Sequence, residues 1–480
     1  MSVTDTAGQR FCQSKGKIKM TVGTDTIDHY HDITGIACRN QPFSQSTYFS
    51  NTIRDVGISQ WFDGQIHELN EEKRATSRTA ISDIVRTYSG RYLSNYPVSH
   101  EQQKLLRDIS ICRTAVLGGH VDPCDSCNYL KVHYNSCRNR GCPICQGLDR
   151  ERWLEARKAE LLECGYFHVV FTLPHELNPL IFCNKKLLLD LLFNTVNGVL
   201  RDFAQDPQWR LNGKLGILAV LHTWNQKLLD HFHLHCLIPA GALSFDEQKW
   251  TPSRKKFLFR TKSLGKEFRK RYIHHLDGLF QNGELEFFGK SKAFETPEGF
   301  QSLRNKLWSN GWVVYAKKPF AGPEQVLSYL GRYTHRIAIS NSRIVSEKDG
   351  RVTFKYRDRA DENKEKQLEI DALEFIRRYL LHALPKGFVK IRYFGFLFHR
   401  TKKEKIETIR NLIGQDTAVP ETKTETIREM MLRLTGEDIT LCPKCKKGKL
   451  VKVLDLPAFS RIRFNHERYE LMNLINELDL

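Results

Sequence analysis

"LLDHFHLHCLIP", residues 228–239, places a histidine at every second position of an otherwise apolar run: His231, His233 and His235. Alternate side chains of a β-strand point to the same face, so the three imidazoles would share one face of a sheet. A single buried histidine is usually a hydrogen-bonded core residue. Two histidines that flank one hydrophobic residue can instead offer two nitrogens to a single metal ion. The stretch therefore predicts a strand that carries a metal site on one face.

The neighbouring segments predict an alternation of strands and helices around this strand. "LGILAVLHTW" precedes it and is joined to it by "NQKLLD", which predicts a β-hairpin. "YFHVVFTLP" and "GWVVYAKKP" are strand-like, while "KKLLLDLLFNTVNGVLRDFA" and "GPEQVLSYLGRYTHR" have helical periodicity. The chain around the histidines is therefore expected to mix helices with at least one antiparallel strand pair.

The chain of 480 residues has a formal net charge of +19 and a pI near 9.3. Residues 1–75 hold eight Lys/Arg and nine Asp/Glu, so the positive excess lies downstream. A basic body of this size favours a polyanionic partner such as nucleic acid; the alternative is a basic protein that is merely soluble. We find neither an apolar run long enough to span a membrane nor the apolar core of a signal peptide, and we expect a cytoplasmic, nucleoid-associated bacterial protein.

Composition and motifs divide the chain into four predicted parts. A polar extension at 1–75 precedes helices and a zinc-binding domain at 76–150. A nuclease domain at 151–345 follows, and a basic C-terminal region at 346–480 contains a CPxC knuckle.

Two C-x-x-C pairs predict a structural zinc site. Fourteen residues separate Cys124-x-x-Cys127 from Cys142-x-x-Cys145, and two such knuckles close a tetrahedral four-sulfur site. An iron–sulfur cluster is the alternative. Further candidate ligands for this site lie between the pairs or just before them, namely Cys137, His133 and His120.

A third C-x-x-C pair, Cys442 and Cys445, has no matching pair downstream. Alone it is half a zinc site. We expect a bare turn here rather than a zinc site with ligands borrowed from elsewhere.

"YLGRYTHR" carries two tyrosines, Tyr329 and Tyr333, four residues apart. On a helix they share a face, one turn apart. Such a pair often faces a core, but Arg332, His335 and Arg336 make these surroundings cationic and suit a phosphate-bearing ligand.

The metal strand, the tyrosine helix and the basic body together predict metal-assisted cleavage of a phosphodiester. A tyrosine hydroxyl would attack the phosphate and keep one DNA end as a phosphotyrosine. Two tyrosines allow two successive transfers. If a single tyrosine acts, we expect it to be Tyr333, because cations flank it.

Four segments resemble one known family. "HFHLHCLIPAG" is similar to the HUH (His–hydrophobic–His) motif, and "YLGRYTHRIAIS" to the double-tyrosine motif, of rolling-circle insertion-sequence transposases. "NSCRNRGCPICQ" resembles their N-terminal zinc-binding domain, and "VLHTWNQ" the strand that precedes the histidines. The resemblance runs from about Ile81 to Arg400. It departs from the family pattern at Gly141, where we expect histidine.

The resemblance implies an α+β fold in which a small zinc-binding module precedes a central antiparallel sheet covered by helices. It also implies single-stranded DNA as substrate, a structural Zn²⁺ and a catalytic Mg²⁺ or Mn²⁺. His233 and His235 would hold the catalytic ion. Gln226, seven residues before His233, is the favoured third ligand, and His231 is the alternative.

A basic, aromatic segment at 253–272 is the predicted DNA-binding surface. It holds nine Lys/Arg and one Glu. Basic side chains can follow a DNA backbone while aromatic rings stack on bases; alternatively, the rings face the core. The predicted DNA-binding residues here and on the tyrosine helix are Lys255, Lys256, Arg269, Lys270, Arg271, Arg332 and Arg336, and the interleaved rings are Phe257, Phe259, Phe268 and Tyr272.

These observations predict a transposase that nicks single-stranded DNA, holds the 5′ end on tyrosine and joins it to a new target. A replication initiator or relaxase of the same chemistry is one alternative, although the chain lacks a Walker-type phosphate loop. A non-catalytic zinc-ribbon DNA-binding regulator is another. It would bind DNA without a covalent adduct.

Overall fold

The computed structural model describes residues 79–254, 257–320, 325–326, 331, 337–415 and 425–458. The predicted extension at 1–75 lies outside these residues. None of the described helices is both long enough and apolar enough to cross a membrane.

The described residues form thirteen strands and ten α-helices. In chain order the strands are β1 (Gly119–Pro123), β2 (Leu130–Tyr134), β3 (Tyr166–Thr172), β4 (Gly216–Trp224), β5 (Asp230–Pro239), β6 (Gly241–Leu243), β7 (Trp250–Pro252), β8 (Val314–Phe320), β9 (Ile344–Lys348), β10 (Arg351–Asp358), β11 (Lys364–Asp371), β12 (Ile391–Gly395) and β13 (Leu454–Leu456). The helices are α1 (Ile81–Asn95), α2 (His100–Ile111), α3 (Gln146–Lys158), α4 (Asn178–Cys183), α5 (Lys185–Gln205), α6 (Thr261–Gln281), α7 (Pro297–Ser309), α8 (Ala372–Leu380), α9 (Lys402–Ile413) and α10 (Ile427–Thr435).

A five-stranded antiparallel sheet lies at the centre, in the order β12–β4–β5–β3–β8. Its middle strand, β5, is the histidine strand. The predicted hairpin is present, because β4 and β5 are adjacent and antiparallel. The predicted α+β class with a central antiparallel sheet is therefore confirmed.

The two faces of this sheet differ, as the alternation along its strands requires. On one face, apolar residues of β3, β4 and β5 pack against α5 and α6 in the main core of the molecule. Phe171 of β3 meets Phe268 of α6 edge to face, with ring centroids 5.3 Å apart. The opposite face carries the histidines. We call it the histidine face.

The zinc-binding module is built from a small sheet, β13–β1–β2, and the helices α1 and α2. Helix α2 begins with a capping box, in which the Ser99 side chain accepts from the amide of Gln102 and the Gln102 side chain accepts from the amide of Ser99. Helix α8, more than two hundred residues downstream, packs in the same core. The module therefore contains distant parts of the chain.

The predicted C-terminal region at 346–480 is not a separate unit. β9, β10 and β11 form a three-stranded antiparallel sheet of their own, but β12 joins the edge of the central sheet and β13 joins the zinc-binding module. The domain boundary expected at residue 345 is therefore corrected. The reason is that strand pairing with distant partners cannot be inferred from local composition.

Candidate active site

The hairpin of β4 and β5 brings a third histidine to the predicted pair. His222 lies directly opposite His233 in the antiparallel register. His235 follows His233 by two residues and so shares its face. All three side chains are buried, and one ligand nitrogen from each lies within 4.8 Å of the others. We call these three residues the histidine cluster.

Hydrogen bonds orient the rings of His233 and His235 and indicate which of their nitrogens can bind an ion. His233 Nδ1 lies 2.8 Å from the backbone oxygen of His231, so this nitrogen carries the proton and donates it. His235 Nδ1 lies 2.9 Å from Nε2 of His168 on the neighbouring strand β3. Contacts of this kind orient ligating imidazoles and assign coordination to the other nitrogen, Nε2.

Burial keeps the ring of His233 and that of the neighbouring His168 neutral. It lowers the pKa of His233 to about 3. Burial, assisted by the charge of Lys317, also lowers the pKa of His168 to about 3. Neutral imidazole is the form that binds metal. His233 is therefore in the form that can bind a cation near neutral pH.

The donor set fits a transition-metal ion better than Mg²⁺. Among His, Cys, Asp and Glu of the described chain, this cluster gathers imidazoles only. Mg²⁺ prefers oxygen ligands, whereas imidazole suits transition metals. Of the two ions predicted from the sequence, Mn²⁺ fits this cluster better.

Two residues are candidates for the third ligand, the predicted Gln226 and His222. Gln226 lies in the turn between β4 and β5, where its backbone oxygen accepts a hydrogen bond from an arginine side chain at 2.6 Å. The ring of His222 lies 5.4 Å from that of His233 and 4.4 Å from that of His235, centroid to centroid. The alternative, His231, lies outside this cluster, and its backbone oxygen orients His233.

Tyr329 and Tyr333 lie outside the described residues, as do Arg332, His335 and Arg336. The described residues nearest to Tyr329 in the sequence are Val326 and Gly331. Val326 is fully buried and packs in one cluster with three residues of the histidine face, Leu218, Val220 and Leu237.

Gly331 approaches helix α3, which also packs against the cluster that contains Val326. A Cβ at Gly331 would lie 3.1 Å from Cδ1 of Leu154, which packs against the Val326 cluster. Both described neighbours of Tyr329 therefore contact the part of the molecule that covers the histidine face.

The four predicted zinc ligands divide between two clusters, so the prediction of one site is corrected. The first cysteine cluster contains Cys112, Cys137, Cys142 and Cys145. Cys112 directly follows α2, and Cys145 is the N-cap residue of α3. Cys137 had been only a spare candidate, and Cys112 had not been considered because it forms no C-x-x-C pair.

The second cysteine cluster contains Cys124, Cys127, Cys442 and Cys445. The C-terminal pair is therefore not the bare turn that we expected. A Cβ at Gly448 would lie 2.4 Å from Cys124 Sγ, so only glycine lets the two knuckles approach this closely. Backbone hydrogen bonds from Gly448 and Lys447 lower the pKa of Cys445 to about 6, which favours the thiolate that binds metal.

Sulfur spacing supports tetrahedral zinc in both clusters. Tetrahedral zinc–sulfur bonds of about 2.3 Å place the sulfurs about 3.8 Å apart. The Sγ atoms of Cys137 and Cys145 are 3.7 Å apart in the first cluster. In the second, Cys124 and Cys445 are also 3.7 Å apart, as are Cys127 and Cys442. Both clusters therefore fit zinc without rearrangement.

The predicted DNA-binding residues have different surroundings. Lys255, Lys256, Arg332 and Arg336 lie outside the described residues. Lys270 is exposed on α6. Arg269 donates to the backbone oxygens of Trp308 and Asn310 at 2.9 and 3.3 Å. Arg271 pairs with Asp202 and Glu267 at 2.5 and 2.6 Å. The last two arginines are already engaged within the protein.

The expectation that the interleaved rings stack on bases is wrong for three of the four. Phe259, Phe268 and Tyr272 are at most 2% exposed and belong to the main core. Phe257 is partly buried against that core, under the guanidinium of Arg254. Helix α6 turns its apolar stripe inward, and its cations lie on the remaining surface.

A cavity of about 520 Å³ adjoins the histidine cluster and had no counterpart in the sequence analysis. It lies between the zinc-binding module, β4 and the segment that follows α8. Trp224 lines it and stacks on the ring of His222, with centroids 4.8 Å apart and 16° between the planes. Arg138 and Lys386 also line it, both exposed and without an ion-pair partner among the described residues. An aromatic ring beside cations suits single-stranded nucleic acid.

Comparisons with known proteins agree with this arrangement. Residues 216–405 match the family model described as "Putative transposase", a range that contains the histidine cluster. Residues 84–173 match the model described as "Transposase zinc-binding domain", which includes the first cysteine cluster. Cys442 and Cys445 lie beyond both ranges. No solved structure matches the chain.

Two relatives are also described as transposases. The chain is 43% identical over 382 residues to "Putative transposase y4qJ" of Sinorhizobium fredii (strain NBRC 101917 / NGR234), which covers 79% of this chain and 96% of the relative. It is 28% identical over 333 residues to "Transposase for insertion sequence element IS801" of Pseudomonas savastanoi pv. phaseolicola, covering 66% of this chain and 77% of the relative. With its histidine strand, its zinc-binding module and these relatives, the chain belongs to the rolling-circle insertion-sequence transposases that carry an N-terminal zinc-binding domain.

Proposed function

We propose that this transposase cuts and rejoins single-stranded DNA through a 5′-phosphotyrosine intermediate. His222, His233 and His235 would hold the catalytic ion, and Tyr329 and Tyr333 would be the nucleophiles. One observation carries the proposal: Val326, three residues before Tyr329, is buried against the face that holds the histidine cluster.

The spacing of the tyrosines supports this proposal. They follow Val326 by three and seven residues, and positions i, i+3 and i+7 share one face of a helix. Gln325 and Val326 are helical, and so is Gly331. Residues at these three positions of a helix would share one side, so the spacing is compatible with both phenols serving one site.

In the proposed cleavage, the phenol oxygen forms a bond to the scissile phosphorus and its proton passes to solvent. The bond from phosphorus to the 3′ oxygen breaks, and that oxygen takes up a proton as a free 3′-hydroxyl. The 5′ end stays on the tyrosine. Rejoining reverses these steps with the 3′-hydroxyl of the target. Because the phosphodiester energy is kept in the adduct, no ATP is needed.

A bound divalent ion would neutralise and orient the scissile phosphate. Residues around the histidine cluster orient its rings for this role. His168 and the backbone oxygen of His231 hold His235 and His233 in place through their Nδ1 atoms. A free phenol has a pKa of about 10, so cations must favour the phenolate. We assign this role to Arg332 and Arg336.

We propose that the cavity beside Trp224 receives the DNA strand next to the scissile phosphate. Trp224 would stack on a base, and Arg138 and Lys386 would contact phosphates. Lys255, Lys256 and Lys270 of the basic segment at 253–272 are proposed as further DNA contacts. Arg269 and Arg271 contribute less to DNA binding, because their guanidinium groups are bound to other residues of the protein.

We further propose that both cysteine clusters bind structural Zn²⁺ and that the transposase works in the bacterial cytoplasm, at the nucleoid. The zinc ligands would be Cys112, Cys137, Cys142 and Cys145 in the first cluster and Cys124, Cys127, Cys442 and Cys445 in the second.

The test uses full-length protein, single-stranded oligonucleotides from the element ends, and Mn²⁺. Denaturing electrophoresis should reveal a covalent protein–DNA band together with a released strand that ends in a 3′-hydroxyl. His233→Ala and His235→Ala should abolish the band and retain most of the DNA binding, because binding rests mainly on phosphate contacts. His175→Ala, at an exposed histidine outside the cluster, is the matched control.

The products separate the alternatives. Joining of the held 5′ end to an unrelated target strand supports a transposase, whereas a replication initiator or relaxase would re-form its own cut site. DNA binding without any adduct would indicate a zinc-ribbon regulator and refute the proposal.

A further inference from the structure

Two histidines and an aspartate form a fourth group of potential metal ligands, on the β1–β2 hairpin. His120 of β1 lies directly opposite His133 of β2. Asp122 follows His120 by two residues, so all three side chains share one face of the hairpin. Their ligand atoms lie within 4.8 Å of one another.

The distances within this group fit coordination better than hydrogen bonding. Asp122 Oδ2 lies 3.5 Å from Nε2 of His120 and 3.5 Å from Nε2 of His133. A hydrogen bond would need about 2.7–3.2 Å. Ligand atoms on a tetrahedral ion with bonds of about 2.1 Å are about 3.4 Å apart. The two nitrogens and Asp122 Oδ2 are therefore spaced as three ligands of one ion would be.

The aspartate has no other described charge partner. Lys131 lies directly opposite Asp122 in the hairpin, yet the ion pairs of Asp122 are with the two histidines. Its second oxygen, Oδ1, is buried and has no hydrogen-bond partner among the described residues. A buried carboxylate oxygen without a partner is costly, and a bound ion or an ion-held water would relieve that cost.

We propose that His120, Asp122 and His133 bind a fourth metal ion, a divalent transition-metal ion separate from those of the two cysteine clusters and the histidine cluster. Two imidazoles and one carboxylate form a ligand set that suits Zn²⁺ and leaves a fourth position open. The histidine side chains are 36% and 31% exposed, so that position can face solvent.

The position of the site explains what the ion would do. β1 leads directly into Cys124 of the second cysteine cluster, and β2 is followed three residues later by Cys137 of the first. An ion that joins β1 to β2 would brace the hairpin between the two clusters. Because it has three protein ligands and partial exposure, it should exchange faster than zinc held by four sulfurs.

The test measures zinc per chain by mass spectrometry after desalting into metal-free buffer. Full-length protein with His233→Ala and His235→Ala is the background, because it cannot hold an ion in the histidine cluster. We expect three zinc ions per chain in this background. Adding His120→Ala and His133→Ala should leave two. Adding His175→Ala, at an exposed ring 3.5 Å from the Glu176 carboxylate, should leave three.

The proposal fails if the background holds only two zinc ions, or if the His120→Ala/His133→Ala protein still holds three. Should that protein fail to fold, Asp122→Asn decides. Competition with a chromophoric chelator should show zinc affinity at one site falling by about tenfold or more. Unchanged affinity at every site would overturn the proposal. None of these readouts depends on DNA cleavage, so they remain valid if the proposed function fails.

Discussion

Cys442→Ser tests whether the C-terminal knuckle completes a zinc site that begins more than three hundred residues earlier. Cys442 Sγ lies 3.7 Å from Cys127 Sγ, and the side chain is 1% exposed. The serine should remove one zinc ion per chain. It should also release the segment that carries β13 from the zinc-binding module.

The magnitude follows from what else holds that segment. β13 pairs with β1 at three positions, Gly119–Leu456, His120–Asp455 and Val121–Leu454. Backbone hydrogen bonds contribute about 0.5–1.5 kcal/mol each, so this pairing adds a few kcal/mol at most. Structural zinc contributes about 10–16 kcal/mol in small zinc domains. Without the ion the segment should therefore open locally while the central sheet remains folded.

Pairs of substitutions distinguish the two possible arrangements. Cys124→Ser with Cys442→Ser should remove one zinc ion, because both belong to the second cysteine cluster. Cys124→Ser with Cys142→Ser should remove two, because they belong to different clusters. If the two N-terminal knuckles instead formed a single site, Cys124→Ser with Cys142→Ser would remove only one zinc ion. Cys442→Ser alone would then remove none.

Zinc analysis is combined with hydrogen exchange at the β1 amides. In Cys442→Ser, Gly119 and Val121 should exchange much faster, while amides of β4 and β5 should keep their protection. Full zinc content with unchanged protection in β1 would refute the pairing of these knuckles.

Three further predictions concern DNA. His222→Ala should abolish cleavage and Mn²⁺ binding measured by calorimetry, whereas Gln226→Ala should cleave at close to the wild-type rate; the reverse result would restore Gln226 as the third ligand. Tyr329→Phe/Tyr333→Phe should fold and bind DNA yet form no covalent adduct on denaturing gels, and an adduct that persists would exclude tyrosine as the nucleophile. Arg138→Ala should reduce the slope of log affinity against log salt by about 0.7 for single-stranded DNA, the value for one lost phosphate contact, and an unchanged slope would remove Arg138 from the DNA path.

Local patterns predicted the central part of the fold well. The period of two in β5, the hairpin before it and the helical period of α5 all depend on residues close in sequence. His233 and His235 follow from the same alternation. His222 was missed because it reaches them across the hairpin, and the register that pairs it with His233 is not visible in either strand alone.

The cysteine pairing could not be predicted for a related reason. Two C-x-x-C pairs close in sequence seemed sufficient for one site, but a tetrahedral ion places no limit on the length of chain between its ligands. Cys112 becomes a ligand candidate, and the half site at Cys442 is completed, only when folding brings these residues beside Cys137 and Cys127.

The basic segment at 253–272 was misinterpreted in part because core and DNA-binding helices share a composition. Phe268 and Tyr272 lie four residues apart, which is the spacing of a buried stripe as much as of a base-stacking ladder. The element that packs against these rings distinguishes a buried stripe from a base-stacking one. α5 covers that stripe, and Tyr272 donates to the backbone oxygen of Leu188. Lys270, on another side of the same helix, stays exposed.

The first cysteine cluster connects the zinc-binding module to the candidate active site. Cys145 is the N-cap of α3, and Trp153 and Leu154 of that helix pack on the cluster that contains Val326. Arg140, between the cysteines, donates to three backbone oxygens in the segment after α8 that lines the cavity beside Trp224. An ion in this cluster would therefore position both the helix that covers the histidine face and one wall of the proposed DNA path. In this respect the zinc-binding module would form part of the framework of the candidate active site.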